Sequence, residues 1–125
     1  MMTFRVLLFF SLLPLPALAE NLYVTSTGAG TRDGTSWANA FAGFNGIVWG
    51  PGAAQLGEDD ILWIAGGGYA GPLLIQGSGS DGHRIVLQRA TAGDVMATSA
   101  AGWSDAFDAP VVISGASTGI YFSHG

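Results

Sequence analysis

The side chains best suited to acid–base chemistry lie close together in the sequence: His83, Arg84 and Arg89. A β-elimination on a uronate-containing polysaccharide needs a cation that neutralises the carboxylate and a base that removes the adjacent proton, and arginine and histidine can fill these roles. Arg84 and Arg89 fall in opposite phases of the strand predicted over residues 84–88, however, so a solvated strand face is the simpler explanation. We therefore assign no catalytic residue.

Aromatic side chains are the second group with binding potential, because their faces can stack on sugar rings in a groove. Trp63 and Tyr121 fall in the strand phase opposite the predicted core residues, and Trp103 lies in a long loop. Together with Arg84, these residues are the candidates for contact with a polysaccharide. The alternative is that the rings pack against a neighbouring helix or loop.

Two glycine-rich motifs resemble catalytic or binding loops. Residues 115–119 match the G-x-S-x-G elbow of α/β-hydrolases, but that motif needs a following helix and later acid and histidine partners, whereas a strand pattern follows here. Residues 28–34 resemble a phosphate-binding loop, but they lack G-K-[ST] and the strand–helix context. We interpret both motifs as turns.

Oxygen ligands for Ca²⁺ are present in two loops, at residues 58–60 and 77–82. A single copy of a glycine- and aspartate-rich repeat does not supply the ligands that adjacent turns would contribute, and acidic residues in turns are usually solvated. We predict no metal site and no cofactor in this chain, and leave Ca²⁺ open for a longer protein.

Short strands are the elements that would position these side chains. Residues 60–89 contain three apolar runs separated by glycine-rich turns: 61–65, 73–75 and 85–87. Leu62 and Ile64 of the first run share the alternating phase of the third run, where their counterparts would be Ile85 and Leu87. This recurrence predicts one coil of a strand–turn–strand solenoid.

A helix of about three turns is predicted between a first strand, over residues 22–26, and this repeat. Ser36 is a plausible N-cap. Four apolar side chains then follow at helical spacing: Trp37, Phe41, Phe44 and Val48. Gly43 and Gly46 each weaken such a helix by roughly 1 kcal/mol relative to alanine, so tertiary packing must hold it. Residues 50–52 end it.

Two more strands are predicted near the end of the sequence, over residues 111–113 and 120–122, after an Ala- and Asp-rich insertion at residues 90–110. Short strands joined by non-helical turns can also form an antiparallel sandwich. No two-residue Asn-Gly or Asp-Gly hairpin lies between matched runs, which disfavours that alternative.

The first 19 residues have the pattern of a signal peptide. An apolar run at residues 6–13 follows one arginine, and residues 17–19 have the small-x-small pattern of a signal peptidase site. The run is too short to span a bilayer; a buried N-terminal helix is the alternative. We predict that Glu20 begins a mature, secreted, periplasmic or cell-surface protein whose domain covers residues 20–125, with no membrane span after cleavage.

Composition excludes several classes of protein. The chain has a formal net charge of −5 and only four basic Lys/Arg residues, so its surface would repel nucleic acid and anionic membranes. It has no cysteine, so neither disulfides nor thiolate–metal sites form. Twenty glycines without a collagen period indicate many tight turns.

The order of these pieces resembles the N-terminal part of secreted right-handed parallel β-helix proteins, the pectin-lyase-like superfamily, over residues 22–122. The resemblance is carried by the strands and glycine-rich turns at 23–25, 28–38, 58–69, 71–75, 84–87 and 111–115. It implies an all-β fold that starts a right-handed parallel β-helix, with the first strand and capping helix at residues 22–50 and the first coils at 60–125. It also implies a protein that binds or degrades extracellular polysaccharide, as a lyase or a glycoside hydrolase.

The sequence departs from this superfamily's usual pattern at three places. Arg84 stands where members commonly have a proline, residues 56–57 replace a Pro-Gly, and the insertion at 90–110 enlarges the second coil. The superfamily also contains non-catalytic adhesins and structural proteins, so its fold leaves open whether this protein is an enzyme. Its catalytic residues usually lie on later coils, so we predict an incomplete domain that packs against the remaining coils of its own longer chain.

Overall fold

The computed structural model describes residues 19–115 and 119–122, with only the backbone for residues 121 and 122. Most of the predicted signal peptide therefore lies outside the described residues. The described strands are β1 (Asn21–Thr25), β2 (Phe41–Ala42), β3 (Ile61–Ile64), β4 (Gly67–Ala70), β5 (Leu73–Ile75), β6 (Val86–Arg89), β7 (Val111–Ser114) and β8 (Ile120–Phe122). The chain is all-β in character, as predicted.

Helical structure in the described ranges is short. It consists of α1 (Val95–Thr98) and three 3₁₀ turns at Trp37–Asn39, Phe44–Gly46 and Asp105–Phe107. No helix among the residues described is long and apolar enough to cross a membrane.

The strands pair in three parallel sheets. One sheet has the order β2-β1-β3-β6, a second joins β4 to β7, and a third joins β5 to β8. The first triplet (β3, β4, β5) thus places one strand in each sheet, and the second triplet (β6, β7, β8) pairs with it in the same order. All these strand pairs are parallel, so the antiparallel sandwich is wrong for the described part of the chain.

The register between the triplets differs from the predicted recurrence by two residues. Leu62 pairs with Leu87 rather than Ile85, and Ile64 pairs with Arg89 rather than Leu87. A shift of two residues leaves each side chain on its original face, so the predicted alternation is preserved although the partners change.

The sheets enclose a central core of apolar side chains. Its buried members are Leu22, Val24, Phe41, Phe44, Ile47, Leu56, Leu62, Ile64, Tyr69 and Leu73. Leu22 and Leu62 are neighbours across β1 and β3, so alternate residues of these strands point inward. Phe44 and Tyr69 stack with ring centroids 4.3 Å apart, which joins the 3₁₀ turn to β4.

A second, outer core covers the opposite face of the four-stranded sheet. Its buried members are Tyr23, Trp37, Ala40, Trp63, Ala65, Ala90 and Ala97, with Trp103 and Phe107 packed against them. Residues 90–110, which we call the cover segment, pack over this face of the sheet. The Trp37 indole donates a hydrogen bond to the Ala97 carbonyl (2.8 Å), and Gly66 N–H donates to the Phe107 carbonyl (2.8 Å). The central strands β1 and β3 are therefore buried on both faces, whereas β6 is largely exposed.

The predicted capping helix is wrong. Two 3₁₀ turns flank β2 instead, and Phe41 of β2 pairs in parallel with Val24. Ala40 is extended (φ −61°, ψ 146°) and Gly43 has φ 67°, so neither residue continues a helix. The predicted stripe is accordingly divided: Trp37 enters the outer core, Phe41 and Phe44 enter the central core, and Val48 is exposed.

Candidate functional site

The candidate sugar-binding residue Trp63 lies inside the outer core. It is 2% exposed, and its indole nitrogen donates a hydrogen bond to Oδ1 of Asn21 at 2.9 Å. Strand alternation placed it correctly on the face opposite the central core, but the cover segment buries that face. In this structure its ring face cannot stack on a sugar at the surface.

Trp103 belongs to the same aromatic cluster. Its ring centroid lies 5.9 Å from that of Trp37 and 5.7 Å from that of Phe107, and its nitrogen donates to Oδ1 of Asp105 at 3.0 Å. The residue is half-buried, so one part of the ring remains at the surface. The side chain of Tyr121 lies outside the described residues.

His83 and Asp59 form a hydrogen-bonded imidazole–carboxylate pair. Nδ1 of His83 lies 2.9 Å from Oδ2 and 3.1 Å from Oδ1 of Asp59. The hydrogen bond and the charge of Asp59 raise the pKa of the imidazole above its ordinary value. A carboxylate-oriented imidazole can accept and donate a proton, but the hydrogen bonds of the described chain give it no nucleophile or second acid.

The two candidate arginines differ in their relation to this pair. Arg84 is exposed, and its carbonyl accepts a hydrogen bond from Asp59 N–H at 2.9 Å. Arg89 instead binds the cover segment: Nη2 lies 2.6 Å from Oδ1 of Asp108, and Nε donates to the Ala109 carbonyl at 2.9 Å. Arg89 is therefore engaged by the cover segment rather than by the pair, whereas the backbone of Arg84 lies beside Asp59.

The glycine loop at residues 28–34 uses its backbone donors internally. Gly28 N–H donates to Oγ1 of Thr25 (2.9 Å), and Gly34 N–H donates to the Asn39 carbonyl (2.7 Å). Ala29 N–H and Thr31 N–H also bind acceptors within residues 39–40. A phosphate cradle needs free amides pointing at the ligand, so this loop is a structural turn.

The remaining motifs supply little geometry. Residues 116–118 of the G-x-S-x-G match lie outside the described residues. Over the ranges that are described, no group of three or more His, Cys, Asp or Glu side chains is placed to hold a metal ion. This includes both loops considered for Ca²⁺, at residues 58–60 and 77–82.

An acid-lined cavity of about 790 Å³ lies between the start of the described chain and the turn before β3. Glu20, Glu58 and Asp60 contribute carboxylates to its wall, and Trp49 contributes an indole. Asp60 is buried and accepts hydrogen bonds from Glu20 N and Gly57 N, both at 2.8 Å. The acidic run at residues 58–60 is visible in the sequence, but the pattern does not show that only its last member turns inward.

An apolar cavity of about 750 Å³ opens from the central core. Phe44, Ile64 and Leu73 lie in its wall, together with Ile113 and Ile120 of the second triplet. The sequence predicted Phe44 on a helix and the other four residues in strands, and it predicted an incomplete domain, but it did not predict a cavity at this place.

Comparison of the chain with protein-family models, with curated proteins and with solved structures finds no match. The geometry of the described residues therefore carries the functional interpretation.

Proposed function

We propose that this chain forms the first coils of an exported right-handed parallel β-helix protein. The observation that carries this proposal is the pairing of β6, β7 and β8 with β3, β4 and β5, in order and in parallel. A chain that visits three sheets and then returns to the first one layer further along follows the path of a solenoid. Parallel crossover connections are right-handed in nearly all known cases, which supports the hand.

In this proposal residues 41–56 close one end of the central core. β2 is the edge of its sheet opposite β6, and the chain after it buries Phe44, Ile47 and Leu56. Trp49 and Leu56 form a parallel bridge within this segment. These side chains take the place of the predicted capping helix, so the capping role remains although the helix does not.

The other end of the core is the docking surface for further coils of the same chain. Among the described strands, β6, β7 and β8 each form an edge of their sheet, where a further strand could pair. The apolar cavity opens between these strands, and Ile120 is 50% exposed. A strand triplet continuing the same order would pair with all three edges and cover the apolar wall, as solenoid repeats require of their neighbours.

Binding or cleavage of extracellular polysaccharide, which the superfamily resemblance implies, belongs to those further coils. Trp63 is buried and Arg89 is engaged by Asp108, so among the candidate residues with described side chains only Arg84 and the half-buried Trp103 remain accessible to a ligand. The net charge of −5 disfavours a polyuronate unless Ca²⁺ or basic residues on later coils bridge it. Release of unsaturated ends from pectate or alginate by this chain alone, read as rising ultraviolet absorbance, would contradict this placement.

The docking surface is tested by the association of the purified chain. Sedimentation velocity should show concentration-dependent self-association, because a second copy can cover the open end in the absence of further coils. Ile120→Lys should reduce association at least severalfold, since it places a charge on the apolar wall. The matched control is Val95→Lys on α1: Val95 is 73% exposed and lies in the cover segment, so association should be unchanged.

A chain that stays monomeric at high concentration, or that associates equally well with Ile120→Lys, would contradict the open end. If the gene continues beyond residue 125, its sequence separates the two functional classes. Clusters of Asp, Arg and Lys on successive coils would support a lyase or hydrolase, whereas Gly/Asn/Ser-rich repeats with a surface anchor would support a non-catalytic adhesin.

A further inference from the structure

The nitrogen of Glu20 contacts a buried carboxyl group. It lies 2.8 Å from Oδ1 of Asp60, while the second oxygen of Asp60 accepts the N–H of Gly57 at 2.8 Å. Asp60 is 5% exposed, so water contributes little to its solvation. A buried carboxylate is held more strongly by a cationic donor than by a neutral amide.

The surroundings of this contact are acidic. Glu20, Glu58 and Asp60 line the adjacent cavity, and none of the lining residues described is basic. The Glu20 side chain is directed to Ala54, whose N–H it accepts at 3.1 Å. Asp59, the neighbour of Asp60, is paired with His83. A positive charge at the Glu20 nitrogen would therefore face Asp60 directly, with two further carboxylates nearby.

We propose that the peptide bond between Ala19 and Glu20 is the processing site, and that the ammonium group released on Glu20 forms an ion pair with Asp60. The inference rests on the export proposed above. A signal peptidase would hydrolyse the bond: water supplies a hydroxyl to the Ala19 carbonyl carbon and the C–N bond breaks. The nitrogen takes up the remaining proton of the water and the proton of the new carboxyl group, which gives an ammonium and a carboxylate. The donor already in place then acquires a charge.

Two independent features lead to the same bond. The small-x-small pattern at residues 17–19 places cleavage before Glu20. Separately, the fold turns the nitrogen of Glu20 inward to a buried acceptor, while Ala19 is exposed and contributes no hydrogen bond among the described residues. Cleavage of this bond leaves the hydrogen bond from Glu20 to Asp60 in place and adds a positive charge to its donor.

The chain offers a clean measurement because it contains no lysine. Its N-terminal amine is the only primary amine, so amine-selective acetylation reports on that group alone. The full chain would be exported from a bacterial host, and the mass of the product should place its N-terminus at Glu20. The pH dependence of acetylation should give an α-amino pKa about one pH unit above the ordinary 7.7–8.0, with a reaction roughly fivefold slower at pH 8.

Two variants test whether Asp60 is the cause of the raised α-amino pKa. Asp60→Asn should return the α-amino pKa to its ordinary range, because the opposing charge is lost. Glu58→Gln is the matched control: Glu58 lines the same cavity but does not contact the Glu20 nitrogen, so the pKa should fall much less. Because a raised folded-state pKa favours the charged amine, the added stability is complete below the unfolded value and is lost as pH rises through the folded value.

If Asp60→Asn does not fold, the native exported chain still decides the question. Its N-acetylated form should melt at a lower temperature at pH 7, and the two forms should melt alike above pH 10. Equal melting at pH 7, or an ordinary amine pKa in a product starting at Glu20, overturns the ion pair but leaves the β-helix proposal intact. A product that keeps residues 1–19, or starts elsewhere, overturns the processing site and, in the first case, export as well.

Discussion

Tyr69 ties three strands together through one buried hydroxyl. The hydroxyl lies 2.6 Å from the Ala65 carbonyl and 3.3 Å from the Val24 carbonyl, at the ends of β3 and β1. Burial raises the pKa of its phenol far above the ordinary value, so it remains a donor throughout the accessible pH range. The Tyr69 hydroxyl therefore stabilises the fold and is not a reactive group.

Tyr69→Phe should lower the free energy of unfolding by about 1–2 kcal/mol, because a buried carbonyl loses its donor while the ring packing is kept. Urea unfolding followed by tryptophan emission measures the change. Tyr23→Phe is the matched control: its hydroxyl lies 3.4 Å from the Met96 carbonyl, so the loss should be smaller. Equal losses would show that the Tyr69 hydroxyl has no special role.

The pair of His83 and Asp59 makes stability depend on pH. The pKa of His83 is raised, first by the hydrogen bond to Asp59 and least by the charge of Glu58. The favourable contribution is therefore complete below the unfolded pKa, about 6.5, and is lost as pH rises through the higher folded pKa.

Asp59→Asn should return the His83 pKa to about 6.5, which an NMR titration of the imidazole measures. Asp59 has φ 69°, a conformation that asparagine also tolerates, so the backbone should be preserved. Glu58→Gln should lower the pKa by much less. An imidazole that titrates normally in the unmodified chain would contradict the pair.

Among the secondary-structure elements, the alternation of apolar residues was sufficient to predict the strands that carry apolar side chains on one or both faces. β1, β3, β5, β6, β7 and β8 all lie within a residue or two of their predicted ranges. β4 was interpreted as a turn because it begins with Gly67 and Gly68, which have no side chain to alternate. Its strand conformation depends on pairing with β7, a partner that lies beyond the cover segment.

The prediction of a capping helix after Ser36 is wrong for a different reason. Spacings of three and four residues are typical of a helical stripe, but here they result from consecutive short elements whose apolar side chains enter two cores. Likewise, the phase of Trp63 was predictable while its burial was not, since burial depends on residues 90–110. Local pattern fixes the face of a strand, and tertiary contacts decide what covers that face.

The cover segment should be loosened by Gly102→Ala. Gly102 has φ 90°, and an added Cβ would lie 2.5 Å from the backbone nitrogen of Ala38, which binds the Ala101 carbonyl at 2.9 Å. Strain and clash together should cost more than 1 kcal/mol and shift tryptophan emission to longer wavelength.

Gly93→Ala is the matched control in the same segment, because its added Cβ would meet nothing within 4 Å and its φ is not in the left-handed region. Stability and emission should be nearly unchanged. If both substitutions behave alike, the close approach of Gly102 to Ala38 does not hold the segment.

For the whole molecule, an open apolar end and a net negative charge act in opposite directions. Apolar contact at the edges of β6, β7 and β8 favours association, whereas the net charge of −5 keeps copies apart. Residue composition alone predicts the repulsion, but the open end depends on how the three sheets are stacked.

Self-association should therefore increase as pH falls towards the isoelectric point of about 4.5, because protonation of carboxylates removes the repulsion. Light scattering between pH 7.5 and 5 measures this. Ile120→Lys should weaken the response at every pH, and association that is insensitive to pH would contradict the opposing roles of charge and apolar contact.

The burial of Trp37 also predicts an order of events during folding. Its nearest aromatic partner in the cover segment, Phe107, lies 4.8 Å away in space but follows β6 in the chain. A chain that folds from its N-terminus can pair β1 with β3 early. The Trp37 side chain, however, stays exposed to solvent until residue 107 is available to pack against it. We expect the change in indole emission to come late in folding, so the first layer of the protein is completed by one of its later segments.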